Sequence, residues 1–296
     1  MRQSTAPNAA SVLLASPYAH EEDEIIDTPI TPGDHKYLFD NSAHQAGDRF
    51  GALGALFDPV TIRHVENLGI GLGWRCWEVG AGGGSIMRWL SDRTGTTGSV
   101  VATDLDVRWL QQQPSTANVH VLQHDVVNDA PPPGPFDLVH ERLVLVHVQD
   151  RAAAIERMVS VLRPGGWLLL EDFDSGAGDG GFVDAESDLA DLGASIVRGM
   201  RQLLTERGAD PALGSKLPGL LRQAGLAGVE ADAYQVIERG DAVADLLRAN
   251  VDQVAGQLIE RRMVTDRDLD RYRERLSSGA LRPTSPTLVS AWAKRP

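Results

Sequence analysis

Trp77-Glu78-Val79-Gly80-Ala81-Gly82-Gly83-Gly84-Ser85 is the stretch on which the reading of this 296-residue chain turns. It joins a short apolar run, residues 75–79, to a helical pattern over 85–91. Glycine at a strand-to-helix turn permits positive φ and lets a ligand approach bare backbone. The helix N-terminus behind it favours a carboxylate or phosphate. Glycine also punctuates turns that bind nothing, so the residues around the turn carry the argument.

Downstream, apolar runs at 99–103, 119–123, 136–140 and 166–171 alternate with helical patterns such as 106–113 and 151–162. Strands alternating with helices imply right-handed β-α-β crossovers and a parallel sheet covered on both faces. Such a sheet takes its ligand at the carboxyl ends of its strands. Three carboxylates fall there: Glu78 before the glycine turn, Asp104 after the second run and Asp125 after the third. Asp104 is placed to accept from both hydroxyls of a ribose. Asp125, one strand further out, is placed for the exocyclic amine of adenine, with Leu105 and Val126 flanking the base. The competing reading is a set of solvated loop acids.

Residues 74–173 resemble a class I S-adenosylmethionine-dependent methyltransferase of the group acting on small molecules and secondary metabolites. The resemblance rests on Glu78-Val79-Gly80-Ala81-Gly82-Gly83-Gly84, Asp104, Asp125, Phe136-Asp137-Leu138-Val139 and Val161-Leu162-Arg163-Pro164-Gly165-Gly166-Trp167. It implies an α/β fold: a Rossmann-like, seven-stranded, mostly parallel sheet with helices on both faces and the last strand antiparallel. Residues 228–237 and 287–294 supply the final two strands. The implied cofactor is S-adenosyl-L-methionine, its methionine part lined by Glu78, Gly80, Ala81 and Gly82, its ribose held by Asp104, its adenine by Asp125. A dinucleotide-binding Rossmann enzyme is the nearest competitor, but its third glycine falls on Ser85. A pyrophosphate beside Glu78 would be repelled, whereas the ammonium of a methionine would be attracted.

The segment His140-Glu141-Arg142-Leu143-Val144-Leu145-Val146-His147 follows the fourth strand, beside the expected methyl position. Glu141 and His147 are the candidate bases, with His140 behind them, against a packing role for each; the family resemblance also allows Glu141 a part in cofactor binding. Amino-methylating enzymes for nucleic-acid bases carry an Asn/Asp-Pro-Pro-aromatic motif after this strand, and here the prolines, 131–133, precede it. Glu171, Asp172, Asp174 and Asp179 read as a solvated acidic loop rather than a magnesium site, so no metal is expected.

Residues 1–33 read as an arm, 34–70 as one or two lid helices interrupted near Asp58-Pro59, and 71–296 as the catalytic domain, with cap helices inserted at about 185–210 and 241–280. Arg49 and Gln45 in the lid are candidates for the cofactor carboxylate, and Tyr37 and Phe39 supply aromatic surface. Met200, Tyr234, Leu246, Asn250 and Met263 are candidate pocket lining.

The net charge of −13, with lysine only at 36, 216 and 294, opposes nucleic-acid binding, which draws on cationic groups. The single Cys76 can form no internal disulfide, and no window reaches the roughly 18 apolar residues of a membrane span. The expectation is a cytoplasmic methyltransferase with a small organic acceptor, no nucleic-acid or membrane partner, and a homodimer left open. The alternatives are a quinone-ring C-methyltransferase and a non-methylating cyclase or binding protein that uses the same cofactor.

Overall fold

The computed structural model describes residues 38, 39, 41, 45–175 and 181–296. The expected arm at 1–33, Tyr37, Asp179 and the side chain of Gln45 lie outside the described residues. From β1 (Arg75–Val79) the chain runs through α2 (Ser85–Thr94), β2 (Ser99–Asp104), α3 (Arg108–Gln111), β3 (Val119–Gln123), β4 (Phe136–Arg142), α4 (Arg151–Ser160) and β5 (Leu162–Phe173). The C-terminal part holds β6 (Phe182–Val183), α5 (Ser187–Glu206), α6 (Leu217–Gln223), β7 (Ala227–Tyr234), α7 (Ala242–Glu260), α8 (Asp266–Ser277), β8 (Arg282–Pro283) and β9 (Leu288–Lys294).

The main sheet has seven strands in the order β3-β2-β1-β4-β5-β9-β7. Strands β3, β2, β1, β4 and β5 pair in parallel, and β9 inserts antiparallel to both β5 and β7. This is the expected α/β sheet with an antiparallel last strand. The strand order reverses between β1 and β2 on one side and β4 on the other, which places the glycine turn at the switch point of the sheet. The two-residue strands β6 and β8 pair separately and tie the segment before α5 to the end of α8. Nothing in their composition announces them.

The register sorts side chains onto two faces. Glu78 lies opposite His140 on β4, and Arg142 lies opposite Glu171 on β5. Because successive residues of a strand alternate, Cys76, Glu78, Leu138, His140, Arg142, Leu169 and Glu171 share one face, while Trp77, Val139, Glu141 and Asp172 share the other. The first face is covered by α1 (Gln45–Asn67) and α2, through Val65, Ile86, Met87 and Leu90.

The interruption expected near Pro59 does not occur: α1 is one helix of 23 residues with Pro59 inside. Proline removes an intrahelical donor and frees the carbonyl four residues earlier, and Arg239 Nη1 donates to that carbonyl, Ala55 O, at 3.1 Å. An outside cation thus replaces the missing backbone donor. Beside it, Leu56, Phe57 and Val60 pack on Val243 and Leu246 of α7. A second apolar cluster joins α5, α7 and α8 through Ile196, Leu203, Val251, Leu258, Leu269 and Tyr272, with Leu38 and Phe39.

Phe57 is fully buried, edge-on to Phe173 at 5.3 Å and to Tyr234 at 6.4 Å between ring centres. Phe57→Ala is expected to cost about 3–5 kcal/mol in urea unfolding. Leu72→Ala, at a position 80% exposed, is expected to stay within about 0.5 kcal/mol. Equal effects would refute the docking of α1 on α7.

Candidate active site

The glycine turn is built so that side chains are excluded. Gly80, Gly82 and Gly84 have φ of 67°, 50° and 75°. A Cβ on Gly80 would lie 2.1 Å from Val144 Cγ2, and one on Gly82 would lie 2.9 Å from Phe50 Cε1. Positive φ and close approach therefore both require glycine. Ala81 N donates to Thr103 O at 3.0 Å, fixing the turn to β2. Phe50, from α1, closes over Gly82 and Gly83 and meets Trp109 edge-on at 6.0 Å.

Asp104 ends β2 beside this turn. Its Oδ2 accepts from Gly82 N at 2.9 Å and its Oδ1 from Asp106 N at 3.1 Å. Burial raises its carboxyl above the usual range despite these bonds. Asp125 Oδ1 accepts from Val127 N at 2.8 Å and Asn128 N at 3.2 Å, and Oδ2 from Asn128 Nδ2 at 2.7 Å. Burial acts upward on Asp125, but these bonds hold its carboxyl low. Leu105 between them is 62% exposed, and Val126 is buried.

Beneath the turn lies a polar array that the sequence did not announce. His140, without exposed surface, places Nδ1 3.1 Å from Glu78 Oε2 and Nε2 3.2 Å from Glu171 Oε2. Burial alone would lower its pKa, but the two carboxylates raise it to about 10, so both ring nitrogens donate. Glu171 is held well below the usual range against its own burial, chiefly by His140 and His64. It also accepts from Thr61 Oγ1 and, at 2.6 Å, from Ser290 Oγ. His64 Nδ1 stands 3.5 Å from Glu171 Oε1, and its Nε2 stands 3.0 Å from Asp232 Oδ2. Arg142 donates to Thr61 Oγ1 at 2.9 Å and to Asp58 Oδ1 at 2.8 Å; Asp58 in turn accepts from Ser85 Oγ at 3.1 Å.

On the opposite face Glu141 is equally buried. Its Oε2 accepts from Val144 N at 3.1 Å and Leu145 N at 3.4 Å, so it anchors the loop after β4. Burial pushes its carboxyl up to about 7. Asp172 is also fully buried, pushed well above the usual range by burial and then by Glu141, and makes no hydrogen bond of normal geometry among the described residues. Further along the loop, burial and then Arg49 and Arg151 depress His147 to about 3, leaving a neutral imidazole.

The structure thus gathers Glu78, Gly80, Ala81, Gly82, Asp104, Leu105, Asp125 and Val126 at one edge of the sheet. Arg49 is buried on α1, its guanidinium 5.1 Å from the ring centres of both Phe39 and Phe50, with Nη2 donating to Asn41 Oδ1 at 2.9 Å. The three catalytic candidates separate: His140 faces α1, Glu141 faces away from it, and His147 lies in the loop beyond. The expected solvated acidic loop is corrected: Glu171 and Asp172 belong to β5 and are fully buried, and Asp174 is 2% exposed. Strand alternation sends the first two to opposite faces, so they form no cluster. Among the described residues no group of three or more His, Cys, Asp or Glu is placed to hold a metal ion.

The methyltransferase domain family model matches residues 38–230, more than half of the chain. The chain therefore belongs to the methyltransferase domain family. It is 31% identical over 147 residues to methyltransferase str3 of Strobilurus tenacellus, 49% of this chain and 50% of that protein. It is 31% identical over 130 residues to the ubiquinone/menaquinone biosynthesis C-methyltransferase UbiE of Pseudomonas aeruginosa, 42% of this chain and 50% of that one. The chain spans about half the length of these curated relatives. Phosphoethanolamine N-methyltransferase 2 of Haemonchus contortus, solved with S-adenosyl-L-methionine, shares the fold with a TM-score of 0.53 at 15% identity, over 85% of this chain and 56% of that one. S-adenosyl-L-methionine is the cofactor that the family brings.

The residues present fit that group. The space a Cβ would take at Gly80 and Gly82 is filled by Val144 and Phe50, so the fit rests on Asp104 and Asp125, whose carboxylates at adjacent strand ends are the acceptors that a nucleoside's hydroxyls and amine require.

The imidazolium of His140 makes stability depend on pH. Its pKa lies near 10 in the folded protein and near 6.5 in the unfolded chain. The folded state therefore keeps a proton that the unfolded state sheds, and the contribution, complete below about pH 6.5, is lost as pH rises toward 10. Urea midpoints are expected to fall across that window. A flat profile would exclude the charged ring.

Proposed function

We propose that the protein is an S-adenosyl-L-methionine-dependent methyltransferase acting on an O, N or C atom of a small organic molecule of secondary metabolism. The observation that carries this reading is the glycine cradle with the Asp104 carboxylate seated against Gly82 N at 2.9 Å. Glu78, Gly80, Ala81 and Gly82 would hold the methionine part, Asp104 the ribose, and Asp125, Leu105 and Val126 the adenine. Arg49 and Gln45 are assigned to the cofactor carboxylate. When bound, the cofactor supplies an electrophilic methyl group on a sulfonium.

The task left to the protein is to hold a nucleophile in line and exclude water. We assign the lid to 34–70 and the cap to about 185–210 and 241–280, inserted in a catalytic domain spanning 71–296. The face of α7 that packs Leu246 against α1 carries Asn250 and Gln253 next at helical spacing. Asn250 Oδ1 and both terminal atoms of Gln253 are buried and without partners among the described residues. A buried amide left unpaired is unfavourable, so an acceptor bearing hydroxyl, carbonyl or amide groups would satisfy them. The positive field of Arg49 and Arg151 that lowers the basicity of His147 would also acidify a reactive hydroxyl or amine beside it, so that the proton passes from the acceptor to the neutral ring. Glu141 serves as loop anchor in this scheme.

The net charge of −13 supports a small-molecule acceptor over a nucleic acid. Among the described residues no helix is long and apolar enough to cross a membrane, and we place the activity in the cytoplasm, as a monomer or homodimer. The likeness to UbiE favours a second reading, C-methylation of a quinone-type ring, for which the same donor site serves.

Calorimetric titration with S-adenosylhomocysteine and, separately, NAD(H) tests the cofactor class. Micromolar binding of the first alone is expected, and binding of NAD(H) instead would overturn the reading. Asp104→Ala should weaken S-adenosylhomocysteine by about 1.5–3 kcal/mol, roughly ten- to a hundredfold; unchanged affinity in a folded variant would displace the ribose. With an acceptor found by screening for S-adenosylhomocysteine release, His147→Ala should lower kcat roughly a hundredfold at unchanged cofactor affinity. An undiminished kcat would remove His147 from the chemistry.

A further inference from the structure

The polar array below the glycine turn is a closed circuit. From Glu78, before the turn, it passes through His140 to Glu171 at 3.1 and 3.2 Å, and Glu171 accepts from Thr61. Thr61 accepts from Arg142, which also binds Asp58, and Asp58 accepts from Ser85, the residue after the turn. The circuit thus returns to the turn at its other end. Glu78, Glu171 and Asp58 bring three negative charges, and His140 and Arg142 two positive ones. A side branch leads from Glu171 through His64 to Asp232, which stands 3.0 Å from His64 Nε2 and 3.5 Å from Arg63 Nη2. Apart from that branch the carboxylates of the circuit outnumber its cations by one, and Glu78, 5% exposed, is its member two residues before Gly80.

We propose that His140 is a positioning residue for the amino group of the cofactor: it locks the Glu78 carboxylate in place beside the glycine turn, and that carboxylate meets the methionine ammonium. This rests on the reading that Glu78 faces that ammonium. A carboxylate tied to one imidazolium nitrogen keeps its second oxygen and remaining lone pairs for another donor. The imidazolium cannot rotate away without unpairing two buried carboxylates, an expensive change. His140 touches neither the reacting sulfur nor the methyl group; it acts through Glu78.

The test separates recognition of the amino group from general damage. S-adenosylhomocysteine carries the amino acid moiety, while 5′-methylthioadenosine shares its nucleoside and thioether without it. His140→Gln should weaken the first roughly ten- to a hundredfold and leave the second within about twofold. Glu78→Gln should do the same, and the double variant should lose little more than either single one, because both act on one ammonium. Equal weakening of the two ligands by His140→Gln, or no weakening, would overturn the proposal. If Glu78→Gln also leaves S-adenosylhomocysteine unaffected, the underlying placement of the ammonium fails as well; if Glu78→Gln alone shows the selective loss, only the role of His140 falls. Nitrogen NMR of labelled histidine in the unmodified protein stands independently of variant folding. At about pH 8, where an ordinary histidine is neutral, one ring must carry both protons, with and without S-adenosylhomocysteine. A neutral ring at His140 would sink the proposal.

Discussion

Burying a carboxylate is costly unless its charge and its lone pairs are answered locally, and the fully buried Glu171 shows how widely that demand spreads. Its oxygens are met from α1 by Thr61 and His64, from β4 by His140 and from β9 by Ser290. Four elements must therefore arrive in one register. The position of α1 follows from this: with Thr61 and His64 drawn to the sheet, the earlier turns of the helix carry Phe50 onto Gly82 and Gly83. The roof over the glycine turn is set by charges some distance below it. Where Pro59 frees the carbonyl of Ala55, Arg239 donates to it, so a residue outside the sheet supports the same geometry.

The period-two geometry of a strand divides the work at the end of β4. His140 and Arg142 face α1, and the carboxylates of Glu78 and Glu171 keep His140 a cation. Glu141, between them, faces away toward the side that also buries Asp172, and burial favours its neutral form. Adjacent residues of one strand thus serve two jobs, one beneath the cofactor turn and one beneath the following loop. Leu143, at φ 61°, takes the left-handed conformation that a branched residue adopts only when held there. Its amide donates to Glu171 O at 2.8 Å, and the next two amides donate to Glu141. The strained residue is pinned from both sides, which fixes the loop carrying His147.

What the sequence reveals about this protein depends on the range of the interaction. The glycine turn, Asp104 and Asp125 are legible because each makes its decisive contacts with residues close in the chain or on the next strand, and the parallel sheet is legible through its alternating apolar runs. Thr61, His64, Ser290 and Asp232 are not, because their partners lie a hundred or more residues away. One signal was present: a glutamate and an aspartate inside the apolar run Leu168-Leu169-Leu170-Glu171-Asp172-Phe173 are improbable unless something compensates them. Assigning them to a solvated loop ended the strand too early. The triplet His140-Glu141-Arg142, closing another buried strand, carried the same message.

On the proposed function, the donor and acceptor sides of the site are built by different means, which fits a fold shared at 15% identity with a phosphoethanolamine N-methyltransferase. The donor side stands on the sheet, where strand spacing and a few glycines and carboxylates determine the geometry, and each element there is over-determined by hydrogen bonds. The helices proposed as the cap are held by apolar packing among α5, α7 and α8 and by contact with α1. Apolar packing tolerates volume-conserving exchange far better than a buried ionic circuit tolerates loss of one member. Side chains on the inner surface of α7 can therefore change without disturbing the donor turn, whereas a change at His140 or Glu171 strands a charge in the sheet. On that reading the acceptor side can be altered by substitution where the donor side cannot.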